Sequence, residues 1–259
     1  MRTKLTLLIL SACLILVGCG NNEPKDDENT RTFSINNVKF RMKRVEKGTF
    51  SMGATSEMEN PWDEEKPVHT VNITHDYWMG ETEVTQALWE TVMCKNPSEF
   101  KDPQIPVNNI NWDDCHDFIA KLNEQTGMKF RLPTEAEWEF AARGGNLSNH
   151  TQYSGSANAE EVAWCNTDEP EAVATKKPNE LGIYDMTGNM WEWCEDYSGD
   201  YSAEIQTNPT GPASGYDRIY RGGGFNVRAW YGHISYRGFA APSKKQNDLG
   251  LRLALTLEE

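Results

Sequence analysis

Residues 32–52 alternate apolar and polar side chains (TFSINNVKFRMKRVEKGTFSM), with interruptions at Asn36-Asn37 and Lys47-Gly48. A period of two broken by turn-forming pairs predicts short antiparallel strands, because successive strand side chains point to opposite faces. Residues 68–73 and 77–79 keep that character. The period then lengthens. Leu88, Trp89, Val92 and Met93 fall on one helical stripe behind Thr85, whose hydroxyl is suited to cap a helix start. Asn96-Pro97-Ser98 opens a loop. A second stripe, Trp112, Cys115, Phe118, Ile119 and Leu122, predicts a helix that starts near Asn111 and stops at Gly127. Thr134 and Glu137 stand in capping-box register for a third, short helix ended by Gly144. Its Glu135, Glu137 and Glu139 do not share a single face, so capping and surface salt bridges are expected of them rather than acid–base chemistry.

The second half is less regular. Residues 145–180 are rich in Asn, Ser, Glu and Pro, with Trp164 as the main apolar anchor, and residues 195–217 read as loop. Residues 218–256 carry the turn Gly222-Gly223-Gly224 and finish on a strand at 249–255. Few helices, many short strands and long connections predict an α+β domain with much irregular structure.

Two features at the start of the chain lie outside that domain. Arg2 and Lys4 precede an apolar run, residues 5–17, that is too short to span a bilayer and reads as a secretory leader. Leu16-Val17-Gly18-Cys19 resembles a bacterial lipobox, which predicts a signal peptide at 1–18 and lipid on Cys19. Residues 19–31 lack an apolar anchor and are expected to form a flexible tether, leaving 32–259 as the domain. Lys25-Asp26-Asp27-Glu28 resembles the acidic signal that sends some Bacteroidota lipoproteins to the cell surface. An outer-membrane lipoprotein on the periplasmic or outer face is the expectation, held to the membrane by its anchor alone. The formal charge is −14, and cleavage of the leader with its two cations makes the mature chain more acidic still. Such a chain is a poor binder of nucleic acid or anionic lipid. Cys94, Cys115, Cys165 and Cys194 show no CxxC spacing, which disfavours zinc; disulfides and free thiols both remain open.

Residues 182–193 (GIYDMTGNMWEW) concentrate candidate chemistry. Around a Thr-Gly-Asn turn, the Asp185 and Glu192 carboxylates and the carbonyls of Gly188 and Met190 can face one point. Oxygen-only ligation suits calcium. The competing reading is that both acids bond turn amides and that the indoles are core.

Seven blocks carry a family resemblance: GTFSMG (48–53), ETEVTQALW (81–89), NWDDC (111–115), FRLPTEAEWEFAARGG (130–145), LGIYDMTGNMWEW (181–193), RGGG (221–224) and LGLRLA (249–254). In this order the chain resembles the formylglycine-generating enzyme, or sulfatase-modifying factor, family. The resemblance implies a variant of the C-type-lectin-like fold and a structural calcium at Asp185, Gly188, Met190 and Glu192. A second family calcium site falls in 165–173, where no ligands can be assigned. Family enzymes oxidise a sulfatase cysteine to formylglycine with oxygen and a copper held by two cysteines, a soft ligand pair suited to Cu(I). The matching segment, 224–250, has no cysteine; Ile234 and Gly238 stand at the paired positions, and His233 alone cannot replace two thiolates. No copper is expected, and the oxidase chemistry is expected to be absent.

In the family this strip lines the substrate groove, and here it offers Arg228, Trp230, Tyr231, His233, Arg237 and Phe239, with Phe225 and Tyr236 expected in the core. Tyr, Trp and Arg dominate binding hot spots because they combine large, fairly rigid area with a polar handle. The leading expectation is a non-catalytic domain that binds a peptide, protein or glycan. Alternatives are a scaffold in an envelope secretion or gliding assembly, and an oxidase with a relocated site. The chain's end also resembles targets of diversity-generating retroelements, in which such a strip is varied.

Overall fold

The computed structural model describes residues 26–256; the leader and Cys19 lie outside them. In chain order the elements are β1 (Thr30–Ile35), β2 (Val38–Val45), β3 (Gly48–Met52), β4 (His69–Ile73), β5 (Tyr77–Gly80), α1 (Gln86–Met93) and α2 (Trp112–Thr126). They continue as β6 (Phe130–Arg131), α3 (Glu135–Ala142), α4 (Ala159–Val162), β7 (Trp191–Tyr197), β8 (Gln206–Thr207), β9 (Arg218–Arg221), β10 (Gly238–Ala240), β11 (Leu249–Leu251) and β12 (Ala254–Leu255). The expected α+β class with short elements is observed.

Local chemistry explains most of the boundaries. Asn36 and Asn37 take φ of 46° and 69°, and two successive left-handed residues make the tight turn that joins β1 to β2. The Thr85 hydroxyl accepts from the Leu88 amide at the start of α1. Asn111 with Asp114, and Thr134 with Glu137, form reciprocal capping boxes on α2 and α3. Strand β1 begins at Thr30, inside the stretch expected to be tether, and the Asp26 carboxylate accepts from the Thr32 amide and hydroxyl at 3.0 and 2.6 Å.

Three sheets follow: β1-β2-β5-β12-β6, β10-β9-β7-β11 and β3-β4-β8. In the first, the central strands β5 and β12 are buried on both faces. Met42 and Trp78 join the apolar cluster of α1 and α2, where Trp89 stacks on Phe118 at 4.9 Å. Val45 and Met79, on the opposite face, join the cluster that holds Trp138, Phe140, Ile183 and Ile234. Residues 249–255, expected as one strand, divide between two sheets. Strand β11 runs parallel to β7 and β12 lies antiparallel between β5 and β6, so Arg252 and Leu253 form the crossing.

Arg252 is fully buried at that crossing. Its Nε and Nη2 donate to Glu192 at 2.6–3.0 Å, and Nη1 and Nη2 donate to the carbonyls of Gly80 and Tyr184 at 2.9 and 2.8 Å. Trp138 Nε1 completes the Glu192 shell at 2.6 Å. A second buried network corrects the expectation for α3. All eight of its residues are buried, so no surface remains for salt bridges. Glu135 pairs with Arg237 and Arg221, and Glu139 with Arg143 and Arg221. Glu135 and Glu139 share one face as an i,i+4 pair, while Glu137 points away to a two-pronged contact with Arg131 at 2.6 and 2.7 Å. Burial would raise the Glu137 carboxyl, but hydrogen bonds from His75 and Arg131, with the Arg131 charge, bring it down to about 2.

Arg252→Met is expected to cost about 3–5 kcal/mol in urea unfolding, because it leaves Glu192 buried without its counter-charge; a loss below about 1 kcal/mol would show that the pair is not a structural centre. Glu137 is held below its unfolded value of 4.5, so its contribution is complete above that pH and vanishes as pH falls toward 2. Urea midpoints measured across this window should decline in the native chain. The decline should be shallower in Glu137→Gln, which starts on the order of 2–3 kcal/mol less stable at neutral pH.

Candidate functional site

The strip that follows the glycine turn folds as one 3₁₀ turn, Ala229–Gly232, and a chain returning into β10. It is fastened from beneath by Glu65, which is buried in the segment between β3 and β4. Glu65 Oε2 meets His233 Nε2 at 2.8 Å and the Ser235 hydroxyl at 2.5 Å, while Oε1 accepts from the Trp62 amide at 2.8 Å. Burial works against this carboxylate, yet the His233, Ser235 and Trp62 contacts hold it below the usual range. The result is that Trp62, from a distant part of the sequence, comes to rest against the strip.

Above that fastening lies an aromatic surface. Trp62 is 48% exposed, with its ring 5.8 Å from Trp230 and 6.2 Å from Tyr236. Tyr236 stands nearly perpendicular to Trp230 and Tyr231, at 5.8 and 5.4 Å. Trp230 is oriented by its Nε1, which donates to the Glu59 carbonyl at 3.1 Å. Phe239 is 46% exposed and Arg228 is also exposed. A cavity of about 170 Å³ opens between Trp62, Glu64, Tyr220, Tyr236 and Phe239. Arg237 forms part of its wall and also borders a neighbouring cavity of about 290 Å³ that contains His69, Glu135 and Tyr201.

Of the residues expected to meet a ligand, His233 is internal, and Arg237 is held from within although it walls both cavities. His233 is fully buried, with both ring nitrogens engaged, by Glu65 and by the Trp230 carbonyl. Arg237 is 8% exposed, forms two bonds to Glu135 at 2.7 and 2.9 Å, and lies over the Tyr201 ring at 3.8 Å. Their roles are to position the strip. Phe225 is core, as expected; Tyr236, expected beside it, is only half-buried and forms part of the surface. Trp62 and Glu64 were not found from the sequence. The signal available was an indole between Pro61 and three acids, in a stretch with no periodicity that would bury it.

At the two positions that the resemblance assigns to the copper cysteines, Ile234 is buried in the core, and a side chain at Gly238 would begin 2.0 Å from the Tyr220 ring. Tyr220 therefore fills the space that a thiol at 238 would need. Among the described residues Cys94, Cys115, Cys165 and Cys194 are free thiols, not disulfide partners. None of them lines either cavity of the groove. Burial raises the Cys115 and Cys194 thiols well above their ordinary range, so neither is a ready nucleophile.

The stretch at 182–193 forms the turn that its composition requires. Asp185, Gly188 and Asn189 have φ of 57°, 78° and 59°, and a side chain at Gly188 would strike the Trp164 carbonyl at 2.3 Å. The expected oxygen set is only partly free. Glu192 is already engaged by three N–H donors: Arg252 Nε is shared between its two oxygens, Arg252 Nη2 bonds Oε1 and Trp138 Nε1 bonds Oε2. Asp185 Oδ2 accepts from the Ala174 amide at 2.7 Å, while Oδ1 is buried without a hydrogen-bond partner. Burial, reinforced by Glu192 and opposed by the Ala174 amide and Arg252, lifts the Asp185 carboxyl to about 6. In the segment of the second family calcium site, the amides of Asn166 and Thr167 bond to Val227 and Phe225, lacing it to the strip. Trp164, expected as an apolar anchor, is partly exposed; it donates to Thr175 and lies under Lys176. Among the described residues no group of three His, Cys, Asp or Glu side chains gathers with metal-ligand spacing.

With this geometry in hand, the comparisons with known proteins are consistent from one end of the domain to the other. A chaperone protein LppX from Paenibacillus barcinonensis is 30% identical, aligning 98% of this chain with 99% of its own. A formylglycine-generating enzyme from Streptomyces coelicolor is 32% identical over 59% of this chain, which spans 53% of that enzyme's length. Among solved structures, Treponema denticola variable protein 1 superposes with a TM-score of 0.81 at 30% identity, covering 88% of this chain and 99% of that one. The model of the sulfatase-modifying factor enzyme 1-like domain matches residues 36–257, and the chain therefore belongs to the sulfatase-modifying factor family, whose fold it shares.

Proposed function

We propose that this protein is a non-catalytic member of its family that binds a polypeptide or glycan ligand on the surface built by Trp62, Arg228, Trp230, Tyr231, Tyr236 and Phe239. The observation that carries this reading is the exchange within one groove. Where the resemblance would put a thiol pair, residue 234 is a buried isoleucine and residue 238 a glycine packed against the Tyr220 ring, while exposed and half-buried aromatic rings line the opening. Aromatic rings held at fixed angles by Glu65 provide contact area with little further ordering, which is what a recognition surface needs. A relative named as a chaperone and aligned over nearly the full length supports a polypeptide as the first ligand class to test.

The reading includes anchoring through Cys19 at the outer membrane, with the domain on the periplasmic or outer face. Among the described residues no helix is long and apolar enough to cross a membrane. A calcium-supported turn at Asp185 belongs to the same proposal. Its likeness to a Treponema protein named as variable favours a second reading of the same surface, in which the strip is diversified between copies. A near-identical DNA repeat close to the gene, differing at adenines, is the observation that would establish it.

Replacing Trp62, Trp230 and Tyr231 together with alanine is expected to abolish capture on peptide and glycan arrays. The circular dichroism spectrum should be unchanged, because these rings stand outside both core clusters' buried sets. Undiminished capture by the triple variant would reject the groove. Cys19→Ser should move the protein from the membrane fraction to the soluble fraction and abolish incorporation of labelled fatty acid; retention of either would reject lipid anchoring.

A further inference from the structure

A cavity of about 630 Å³ opens beside β3, the edge strand of its sheet, and shares no lining residue with either cavity of the groove. Two segments distant in sequence close it. After α3, Gly144 and Gly145 take φ of 89° and 58°, a left-handed pair that reverses the chain. Residues 145–150 thereby come to border the same space as residues 54–57, which follow β3.

The lining is rich in hydroxyls and poor in free charge. Thr49 and Ser51 come from β3, Thr55 and Ser56 from the segment after it, and Ser148 from the turn after α3. Arg143 lies in the wall, but its five N–H groups are all spent within the protein, on Glu139, the Gly53 carbonyl, the Thr55 hydroxyl and Glu57. Among the described residues no lysine borders the cavity, so an anion would meet no free cationic group apart from the His150 ring. Glu57 Oε1 accepts from Thr55 at 2.7 Å and from Arg143 at 3.0 Å. Burial acts against this carboxylate, yet those contacts hold it below the usual range, so it stays an ionised acceptor.

Several polar groups here are left for a ligand. Among the described residues the Ser51 and Ser56 hydroxyls and the His150 ring have no hydrogen-bond partner, and the Ser148 oxygen accepts only from the His150 amide, at 3.2 Å. A hydroxyl both donates and accepts, so this lining matches ligand groups that do the same. An apolar face stands beside them. Phe50 is half-buried and fixed against Phe140, with ring centres 5.0 Å apart, and Ala54 and Val68 extend its surface. The negative face of such a ring suits C–H groups polarised by neighbouring oxygens.

We infer that this cavity binds a neutral carbohydrate, with the C–H face of a sugar ring on Phe50 and its hydroxyls shared among Ser51, Ser56, Glu57, Ser148 and His150. A sugar combines donor–acceptor hydroxyls with an apolar face, which is the combination that this wall offers. The volume falls within the range of about 300–1,000 Å³ usual for small-molecule sites. The site uses none of the aromatic surface and does not depend on what that surface binds.

The test is saturation-transfer NMR on the full chain, in a detergent without a sugar headgroup. The probes are the methyl glycosides of glucose, galactose, mannose and N-acetylglucosamine, together with maltose and lactose. At least one should bind with a Kd on the order of millimolar or tighter. Ser51→Leu puts bulk into the cavity from an exposed strand position, and His150→Gly removes the ring at a φ of 54° that glycine accepts. Each should weaken binding by at least about tenfold. Their unfolding midpoints should stay close to native, because neither side chain has a hydrogen-bond partner within the protein to lose. The triple alanine variant of Trp62, Trp230 and Tyr231 should bind the sugar as the native chain does. Binding of none of these saccharides at about 20 mM would overturn the inference, and so would native-like binding by both Ser51→Leu and His150→Gly. Loss confined to the triple variant would place the sugar on the aromatic surface instead. Displacement of the sugar by equimolar inorganic phosphate would show an anion site and overturn the neutral ligand.

Discussion

The buried pair between Arg252 and Glu192 is the contact on which the rest of the structure depends. It lies where the last strand leaves the β7 sheet and enters the β5 sheet, and a fully buried guanidinium at that point needs donors' partners on every side. Glu192 provides two oxygens, and the carbonyls of Gly80 and Tyr184 provide the others. One side chain thereby ties β5, the 182–193 turn and β7 together. Replacement of both partners by apolar groups would relieve the desolvation cost, but an apolar pair would not define which carbonyls lie opposite the crossing. We read the pair as a device for registry between two sheets.

The same pair reaches into the neighbouring turn. The Glu192 carboxylate, which the sequence places in the turn, is drawn to Arg252 and Trp138. Both carboxylate oxygens of Glu83 and Oδ1 of Asp185 are left buried without a hydrogen-bond partner. Three N–H groups, two from the guanidinium and one from the indole, are directed at that one Glu192 carboxylate.

The groove follows a related logic on the other side of α3. Glu135 and Glu139 neutralise Arg221, Arg237 and Arg143 in the interior, with Glu57 balancing the third arginine. Glu65 independently anchors His233 and Ser235. These charges are consumed in holding the strip, so the surface left above it is aromatic, with Glu64 and Arg228 at its edges. Beside residue 238 there is no room for a side chain, because the Tyr220 ring occupies it.

Much of this was legible in the chain itself. The hairpin at Asn36-Asn37, the caps at Thr85, Asn111 and Thr134, the stop at Gly127 and the order of seven motifs are local signals, each written within a few neighbouring residues. Local hydrogen bonds and side-chain periodicity decide them, so sequence alone determined the α+β class, the family and the loss of the two cysteines. The pairing of charges was decided elsewhere. Glu192 meets Arg252 across 60 positions, Glu65 meets His233 across 168, and Trp62 reaches Trp230 from a loop with no periodic signature. A helical wheel shows that Glu135 and Glu139 share a face, but not that the face is buried against three arginines. Only the tertiary structure could settle which donor each acid takes, because a carboxylate's partners are selected by distance in the folded interior, and spacing along the chain carries no record of that distance.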